Sequence, residues 1–223
     1  GYAVKGECHV RLGQLEEAEN ALKNALVVTE KNSTLNLACV YWLARTYELT
    51  KRYEEALSEY HTYCKFATLG GTYYPNAIVN SGKVFYQLKD YQNAIPLFEY
   101  CVSNGKKYTS SVFNDALLKL ADSYNKNGMP TKTISLFNKI NKDDVGSLPY
   151  YLLMSYTGDA YKDLKEYKKA YDLYCEVLSS GEKSLSANAL KKAYNISASY
   201  KSQVGTDPGD VLQNAQSSLE DSK

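Results

Sequence analysis

The sequence predicts an all-α solenoid, a row of antiparallel helix pairs, and three observations support this fold class. A small residue is followed three positions later by an aromatic one at Ala44 and Tyr47, Gly82 and Phe85, Ala121 and Tyr124, Gly158 and Tyr161, and more loosely Ser197 and Tyr200. With a degenerate copy at Gly6 and His9, the small residues lie 37 to 39 positions apart. No segment alternates apolar and polar residues as a half-buried strand does.

Each copy also carries a second small residue nine positions after the aromatic one, namely Ala18, Ala56, Ala94, Thr133 and Ala170. Four positions further on stands a large apolar residue, namely Leu22, Tyr60, Phe98, Phe137 and Tyr174. Small residues let two helix backbones approach closely, and large ones fill the remaining space. This arrangement predicts two packed helices in every copy.

The elements follow in order from this register. First helices are predicted at about 34–50, 75–88, 109–127, 148–163 and 184–203, and second helices at about 14–30, 53–68, 91–104, 130–141 and 166–180. Proline suits a first helical turn, and Ser or Thr suits an N-cap. Helix starts are therefore expected near Pro75, Pro130 and Pro149, and at Ser33 or Thr34, Ser110 and Ser184.

The domain organisation predicted from these elements is one solenoid of five to six helix pairs over residues 1–204. Residues 205–223 begin with a turn at Thr206–Gly209. Apolar residues then recur at helical spacing, at Val211, Leu212, Ala215 and Leu219. The tail is therefore predicted to be a capping helix, or the second helix of a sixth pair.

The pattern resembles the tetratricopeptide repeat (TPR), which carries Gly or Ala, Tyr, Ala and Phe at these relative positions. The resemblance is closest in Leu43–Tyr47 with Tyr53–Ala56, Ser81–Phe85 with Tyr91–Ala94, and Thr157–Tyr161 with Tyr167–Ala170. It implies a right-handed superhelix and a concave groove lined by the first helices. The spacing departs from the usual 34 residues, so a longer second helix or a longer link is expected. This long variant is similar to bacterial envelope TPR proteins.

The resemblance also implies which residues line the groove, when its groove positions are transferred one by one. The predicted partner-binding residues are Tyr41, Arg45, Glu48, Lys83, Tyr86, Asp122, Asn125, Asp159, Lys162 and Tyr194. The set is basic and aromatic toward the second and third copies and acidic toward the fourth and fifth. A partner peptide or helix of mixed charge is therefore expected. Most of the 22 tyrosines, by contrast, fall on packing positions.

Composition excludes several function classes. Lys and Arg number 26 against 25 Asp and Glu, so no strong field favours nucleic acid. No apolar run is long enough to insert into a membrane. Two histidines do not supply a nucleophile with an oriented base, and Gly-rich phosphate loops are absent. No catalytic residue, metal site or cofactor is expected.

The five cysteines, Cys8, Cys39, Cys64, Cys101 and Cys175, form neither a disulfide framework nor a zinc pattern. We expect them at packing positions. His61 and Cys64 are one helical turn apart, but no second pair completes a metal site. Free thiols favour a reducing or anaerobic setting, and the localisation is left open between cytoplasm and periplasm.

The function predicted is a non-catalytic protein–protein interaction scaffold that binds a peptide or helix of a partner in the groove. Two alternatives stay open. One is a bacterial cell-envelope assembly or division scaffold, and the other is the substrate-recruiting arm of a larger enzyme. Self-association is compatible with each of them.

Overall fold

The computed structural model describes residues 1–67, 71–211 and 213, with the side chain of residue 106 left aside. Across these residues the regular structure is helical, without a β-strand. The helices are α1 (Tyr2–Arg11), α2 (Leu15–Val28), α3 (Thr34–Leu49), α4 (Tyr53–Phe66), α5 (Tyr74–Gln87), α6 (Tyr91–Ser103), α7 (Ser110–Lys126), α8 (Pro130–Phe137), α9 (Lys142–Val145), α10 (Ser147–Asp163), α11 (Tyr167–Ser179), α12 (Lys183–Ser199) and α13 (Lys201–Val204). A short 3₁₀ turn, Gly105–Lys107, follows α6.

The all-α fold of helix pairs is confirmed, and most helix ends lie within two residues of the predicted ones. Ser33 caps α3, because its Oγ accepts a hydrogen bond from the Asn36 amide at 3.2 Å. The first turn of α7 is capped from Thr109, one residue before the predicted Ser110, since the Val112 amide donates to the Thr109 Oγ1 at 3.5 Å. At the start of α12 the N-cap residue is Glu182, not Ser184, and it makes no side-chain cap bond.

Two helices end earlier than predicted. The expected helix over 130–141 stops at Phe137 and resumes as the four-residue α9, because residues 138–141 contain two asparagines, which favour turns over helix interiors. The helix expected to reach residue 203 stops at Ser199. Its break lies at Tyr200, whose ring stacks flat on Tyr167 with centroids 3.6 Å apart.

The chain divides into two compact units, residues 1–116 and the described residues from 117 onward. In the first unit the pairs α1/α2, α3/α4 and α5/α6 pack together, and a core of Leu22, Ala44, Tyr60 and Val84 runs between them. In the second, α10/α11 and α12 enclose Tyr174, Val177 and Ala193. That residues 1–204 form one right-handed solenoid stays a prediction.

Small residues of the first helices face large residues of the second helices within the same pair. A Cβ placed on Gly82 would lie 2.7 Å from the Phe98 ring, and one on Gly158 would lie 2.5 Å from the Tyr174 ring. The pair Gly6 and Leu22 repeats this contact at 2.5 Å. The small and large positions identified in the sequence are therefore in direct contact.

The turn within each pair has the same hydrogen-bonding pattern five times. The amides of Gln14, Arg52, Asp90, Met129 and Glu166 donate to the carbonyls of the repeat aromatic position, His9, Tyr47, Phe85, Tyr124 and Tyr161, at 2.8 to 2.9 Å. The residue before each donor has positive φ, as a Schellman turn requires. That residue is glycine at Gly13 and Gly128, but lysine at Lys51, Lys89 and Lys165.

Replacing these lysines with glycine is expected to preserve or raise stability. A residue with a Cβ is strained by about 1 kcal/mol in the left-handed conformation, and glycine removes this strain. Glycine also makes the unfolded chain more flexible, which offsets part of the gain in stability. Lys51→Gly and Lys89→Gly should therefore change the free energy of unfolding by about 0 to +1 kcal/mol in chemical denaturation. Lys191→Gly, in the exposed interior of α12, is the matched control and should lose about 1 kcal/mol. Equal losses at all three sites would contradict the turn geometry.

The extra residues of the long repeat do not extend the second helices. α2 and α4 have 14 residues and α6 and α11 have 13, fewer than the 17 of α7 and α10. The surplus lies partly in the links between pairs, such as residues 29–33 and 104–109.

The cysteines mostly pack as expected. Cys39 and Cys101 are buried, and Cys64 and Cys175 are half-buried. Burial raises the pKa of Cys64 to about 11 and that of Cys101 to about 12, so both stay neutral thiols. The prediction is wrong for Cys8, which is exposed on α1. In later copies the matching residue, such as Thr46 or Val84, is fully buried.

The predicted tail helix lies largely outside the described residues. Val211 is 2% exposed and belongs to a cluster with Val204 of α13, Tyr171 of α11 and Ala193 of α12. Leu212, Ala215 and Leu219 are not described. Within the described part, α13 and Val211 thus cover the apolar surface left by α11 and α12.

Candidate functional site

In the first unit, the predicted groove residues Arg45 and Glu48 are bonded to each other and to a side chain of the second helix. Glu48, in the last turn of α3, forms an ion pair with Arg45 at 2.6 Å. The hydroxyl of Tyr60, on the second helix of the same pair, donates to the same Glu48 oxygen, Oε2, at 2.5 Å. Tyr60 is fully buried, and burial first, then the negative charge of Glu48, raise its pKa far above the ordinary value. Glu48 therefore has a fixed position and two donors.

Tyr41, predicted as an aromatic anchor, does not offer a free ring face. It is 5% exposed and stacks on Tyr73 with centroids 4.4 Å apart and planes 3° from parallel. Tyr73 belongs to the link before α5, and its amide donates to the Tyr63 hydroxyl at 3.1 Å. Burial raises the pKa of Tyr41 to about 12, and Asn80 donates to its hydroxyl at 3.4 Å. Tyr41 thus lies buried in the wall of a cleft and not on the surface.

Other predicted residues of the first unit lie nearer the surface. Lys83 on α5 forms an ion pair with Asp115 on α7, linking two neighbouring first helices. Tyr86 is half-exposed, and its ring packs edge-on against Tyr91 with centroids 5.5 Å apart. A cleft of about 280 Å³ lies among these first helices, with Arg45, Lys83 and Asp115 among its lining residues.

In the second unit, Asp159 is the centre of a similar arrangement. Its Oδ1 accepts a hydrogen bond from the hydroxyl of the buried Tyr174 at 2.8 Å. Its Oδ2 accepts from Lys192 of α12 at 2.7 Å, and Lys192 also donates to the Ser155 hydroxyl at 3.0 Å. Burial first, then the Asp159 charge, raise the pKa of Tyr174. In both units, therefore, a tyrosine of the second helix holds a carboxylate that is predicted to line the groove.

The remaining predicted residues of the second unit differ in availability. Asn125 connects helices, since its amide donates to the Tyr156 carbonyl at 2.8 Å and its Oδ1 accepts from Thr133 at 2.7 Å. Asp122 forms an ion pair with Lys126 at 3.0 Å. Lys162 is exposed, and Tyr194 is 38% exposed. Lys162 and Tyr194 are thus the predicted residues most open to a partner in this unit.

The ion pairs revise the expected charge pattern of the groove. The sequence predicts a basic and aromatic part followed by an acidic part. In the structure, however, the bases Arg45 and Lys83 each pair with an acid, and the acids Asp122 and Asp159 each pair with a lysine. Two residues that contact the predicted set were missed, Lys192, which pairs with Asp159, and Tyr73, which stacks on Tyr41. Tyr73 lies in a link outside the repeat register, and Lys192 lies two positions before the predicted Tyr194.

Over the described residues, neither a metal site nor a membrane-spanning helix is found. No group of three or more His, Cys, Asp and Glu side chains there is arranged to hold a metal ion. No helix there has both the length and the apolar character needed to cross a bilayer. The predicted site residues form ion pairs and hydrogen bonds with side chains of both first and second helices.

Comparison with known proteins agrees with the fold. Two tetratricopeptide repeat family models match residues 1–32 and 115–145. A search of curated proteins gives no match. Among solved structures, a tetratricopeptide repeat protein from Parabacteroides merdae aligns over 99% of this chain and 77% of its own, with a TM-score of 0.71 and 16% identity.

Two further solved structures have the same fold. YrrB, described as a TPR protein with an unusual peptide-binding site, aligns over 85% of this chain and 90% of its own, with a TM-score of 0.66 and 16% identity. MamA from Desulfovibrio magneticus RS-1 aligns over 80% and 92%, with a TM-score of 0.65 and 20% identity. The family models thus identify tetratricopeptide repeats at residues 1–32 and 115–145, and the solved structures share the helical-pair fold of the chain.

Proposed function

We propose that this chain is a non-catalytic scaffold that binds a peptide or helix of a partner protein on the groove faces of its first helices. The observation that carries the proposal is the fixed position of the groove carboxylates. Glu48 and Asp159 are each held by a buried tyrosine hydroxyl from the second helix, Tyr60 or Tyr174. These hydrogen bonds hold the two carboxylates in fixed positions, as a surface that recognises a charged partner requires.

Preorganisation of this kind favours binding, because less side-chain entropy is lost when the partner docks. The pairs Lys83–Asp115 and Lys192–Asp159 place both signs of charge side by side on neighbouring first helices. A partner segment of mixed charge can meet both signs, whereas a uniformly charged one faces repulsion from half of them.

The bacterial-envelope and enzyme-arm alternatives concern the setting in which such a scaffold works. Both alternatives place the binding in the same groove, and they differ only in the partner protein that is bound. They stay hypotheses alongside the general binding role, as does self-association.

A groove variant should lose the partner while keeping its fold. In Lys83→Ala/Tyr86→Ala/Tyr194→Ala, half-exposed groove side chains are truncated with little core damage. We expect capture of the native partner by the full chain, measured by quantitative mass spectrometry, to fall about tenfold or more. Helical circular dichroism should not change.

The matched control is Lys65→Ala/Tyr2→Ala, two exposed positions that are not among the predicted groove residues. Its capture should equal that of the parent chain. If the groove variant retains every partner, or both variants lose partners equally, binding does not occur in the groove.

A further inference from the structure

Leucine side chains are exposed to solvent at the turns that join the two helices of a pair. In three pairs of the described chain the C-cap residue of the first helix is a leucine, and the three are 72%, 48% and 36% exposed, namely Leu12, Leu88 and Leu164. An exposed apolar side chain gains free energy when a partner covers it. These turns are therefore surfaces for an interface outside the predicted groove.

The charge beside the leucines changes along the chain. The second and third residues of the second helix are both acidic in the first two pairs and uncharged in the third pair. One of them is a lysine in the fourth pair, and both are lysines in the pair α10/α11. The residues concerned are Glu16 and Glu17, Glu54 and Glu55, Gln92 and Asn93, Thr131 and Lys132, and Lys168 and Lys169.

The net charges of the whole turns follow the same order. Residues 12–17, the acidic turn, contain two acids and no base, which gives a charge of −2. Residues 164–169, the basic turn, contain three lysines and one glutamate, which gives a charge of +2. Charges of 0, 0 and +1 fall on the equivalent turns at 50–55, 88–93 and 127–132. The acidic turn and the basic turn are therefore complementary.

Helix electrostatics explains the acids but not the lysines. The amino end of a helix carries partial positive charge, which acidic residues in the first turn stabilise and basic residues oppose. Glu16 and Glu17 suit the start of α2, whereas Lys168 and Lys169 occupy the same positions of α11 against this preference. A contact with an acidic surface offsets this local cost.

The carboxylates of the acidic turn are available to a partner. Glu16 and Glu17 are exposed, and neither has an ion-pair partner among the described residues. Arg11, at the end of α1, pairs instead with Glu7 at 2.7 Å. The acidic turn therefore presents two free negative charges beside a leucine.

The lysines of the basic turn are also accessible. Lys165 is exposed and has no ion-pair partner in the described part of the chain. Lys168 pairs with Asp172 and Lys169 with Glu166, but the two lysine side chains stay 55% and 61% exposed. Ion pairs this exposed contribute little, so the lysines can exchange them for contacts with a partner.

We propose that the acidic turn of one copy of this chain binds the basic turn of a second copy, with Leu12 against Leu164. The partner is a second copy because the chain itself carries both halves of the contact, equal and opposite charges at the same repeat position, each beside an exposed leucine. Opposite charges steer the copies together, and the leucines add apolar contact. The inference goes beyond the proposed function, since these turns contain none of the predicted groove residues.

Two charge-reversal variants of the full chain test the contact by sedimentation velocity. The parent chain should self-associate as its concentration rises, about tenfold more weakly in about 500 mM than in about 50 mM salt. Glu16→Lys/Glu17→Lys and Lys165→Glu/Lys168→Glu/Lys169→Glu should each stay monomeric, because both turns then carry the same sign of charge. A mixture of the two variants should associate again, since each reversed turn meets a reversed turn of opposite sign.

Matched variants separate this contact from general effects of charge and apolar surface. Asp143→Lys/Asp144→Lys reverses two exposed acids in the first turn of α9 and should leave association unchanged. Leu12→Ser/Leu164→Ser should weaken association about tenfold, whereas Leu88→Ser, at the same turn position of the third pair, should not. Circular dichroism checks that every variant keeps its helices.

A parent chain that stays monomeric up to about 1 mM overturns the proposal. Association that the charge-reversed variants retain, or that their mixture does not restore, also overturns it. None of these results decides groove binding, which partner capture with the groove variant tests separately.

Discussion

Tyr174→Ala is expected to lower the free energy of unfolding by about 3–5 kcal/mol, as for other fully buried aromatic side chains. Tyr174 has no exposed surface, and its ring packs against the backbone of Gly158. Truncation leaves a cavity that α10 and α11 cannot fill, because their separation is set by neighbouring contacts along the pair. Chemical denaturation followed by circular dichroism measures the loss.

Tyr174→Phe separates the ring from the hydroxyl. It keeps the packing but removes the 2.8 Å hydrogen bond to Asp159, so the expected loss is about 1.5–3 kcal/mol. Tyr2→Ala, at a side chain 53% exposed, serves as the control and should change stability by less than about 0.5 kcal/mol. A phenylalanine variant as unstable as the alanine variant would show that the ring contributes little.

Gly82→Leu should destabilise the first unit by about 1–3 kcal/mol, because it overfills a packed position. Already a Cβ at residue 82 would lie 2.7 Å from Phe98, whose ring is fully buried. The ring cannot move aside without disturbing α6. Ser58→Leu, exposed in the middle of α4, introduces the same side chain without a clash and should be close to neutral.

A double variant tests that Phe98 is the residue in conflict. Phe98→Ala alone opens a cavity, but it also provides space for the new leucine. The losses in Gly82→Leu/Phe98→Ala should therefore be smaller than the sum of the two single losses, by a coupling of about 0.5–3 kcal/mol. Strictly additive losses would place the clash elsewhere and contradict the small-to-large pairing.

The periodic part of the fold could be predicted because one packing rule recurs in every copy. Gly82 with Phe98 and Gly158 with Tyr174 stand 16 positions apart in sequence and touch in space. Because the contact lies within one helix pair, the sequence separation of the two residues is the same in each copy and can be recognised from the sequence. The helix ends followed from the same register, apart from α8 and α12.

The candidate site was predicted less completely. Positions such as Arg45, Lys83 and Asp159 do lie on first helices, as the resemblance implied. Their partners come from other helices, however, and sequence spacing does not specify a contact between Asp159 and Lys192, 33 residues away. Tyr73 covers Tyr41 from a link that has no repeat register, so neither ring's burial could be foreseen.

The sequence by itself determined the all-α class, the helix pairs and the contact between small and large residues, because these depend on periodic, nearest-neighbour packing. Only the tertiary structure decided which predicted groove residues are free and which are paired. Those features depend on side chains from separate copies and from the irregular links. These contacts do not recur at a fixed sequence spacing. They form because the fold brings α3, α5 and α7, or α10 and α12, close together.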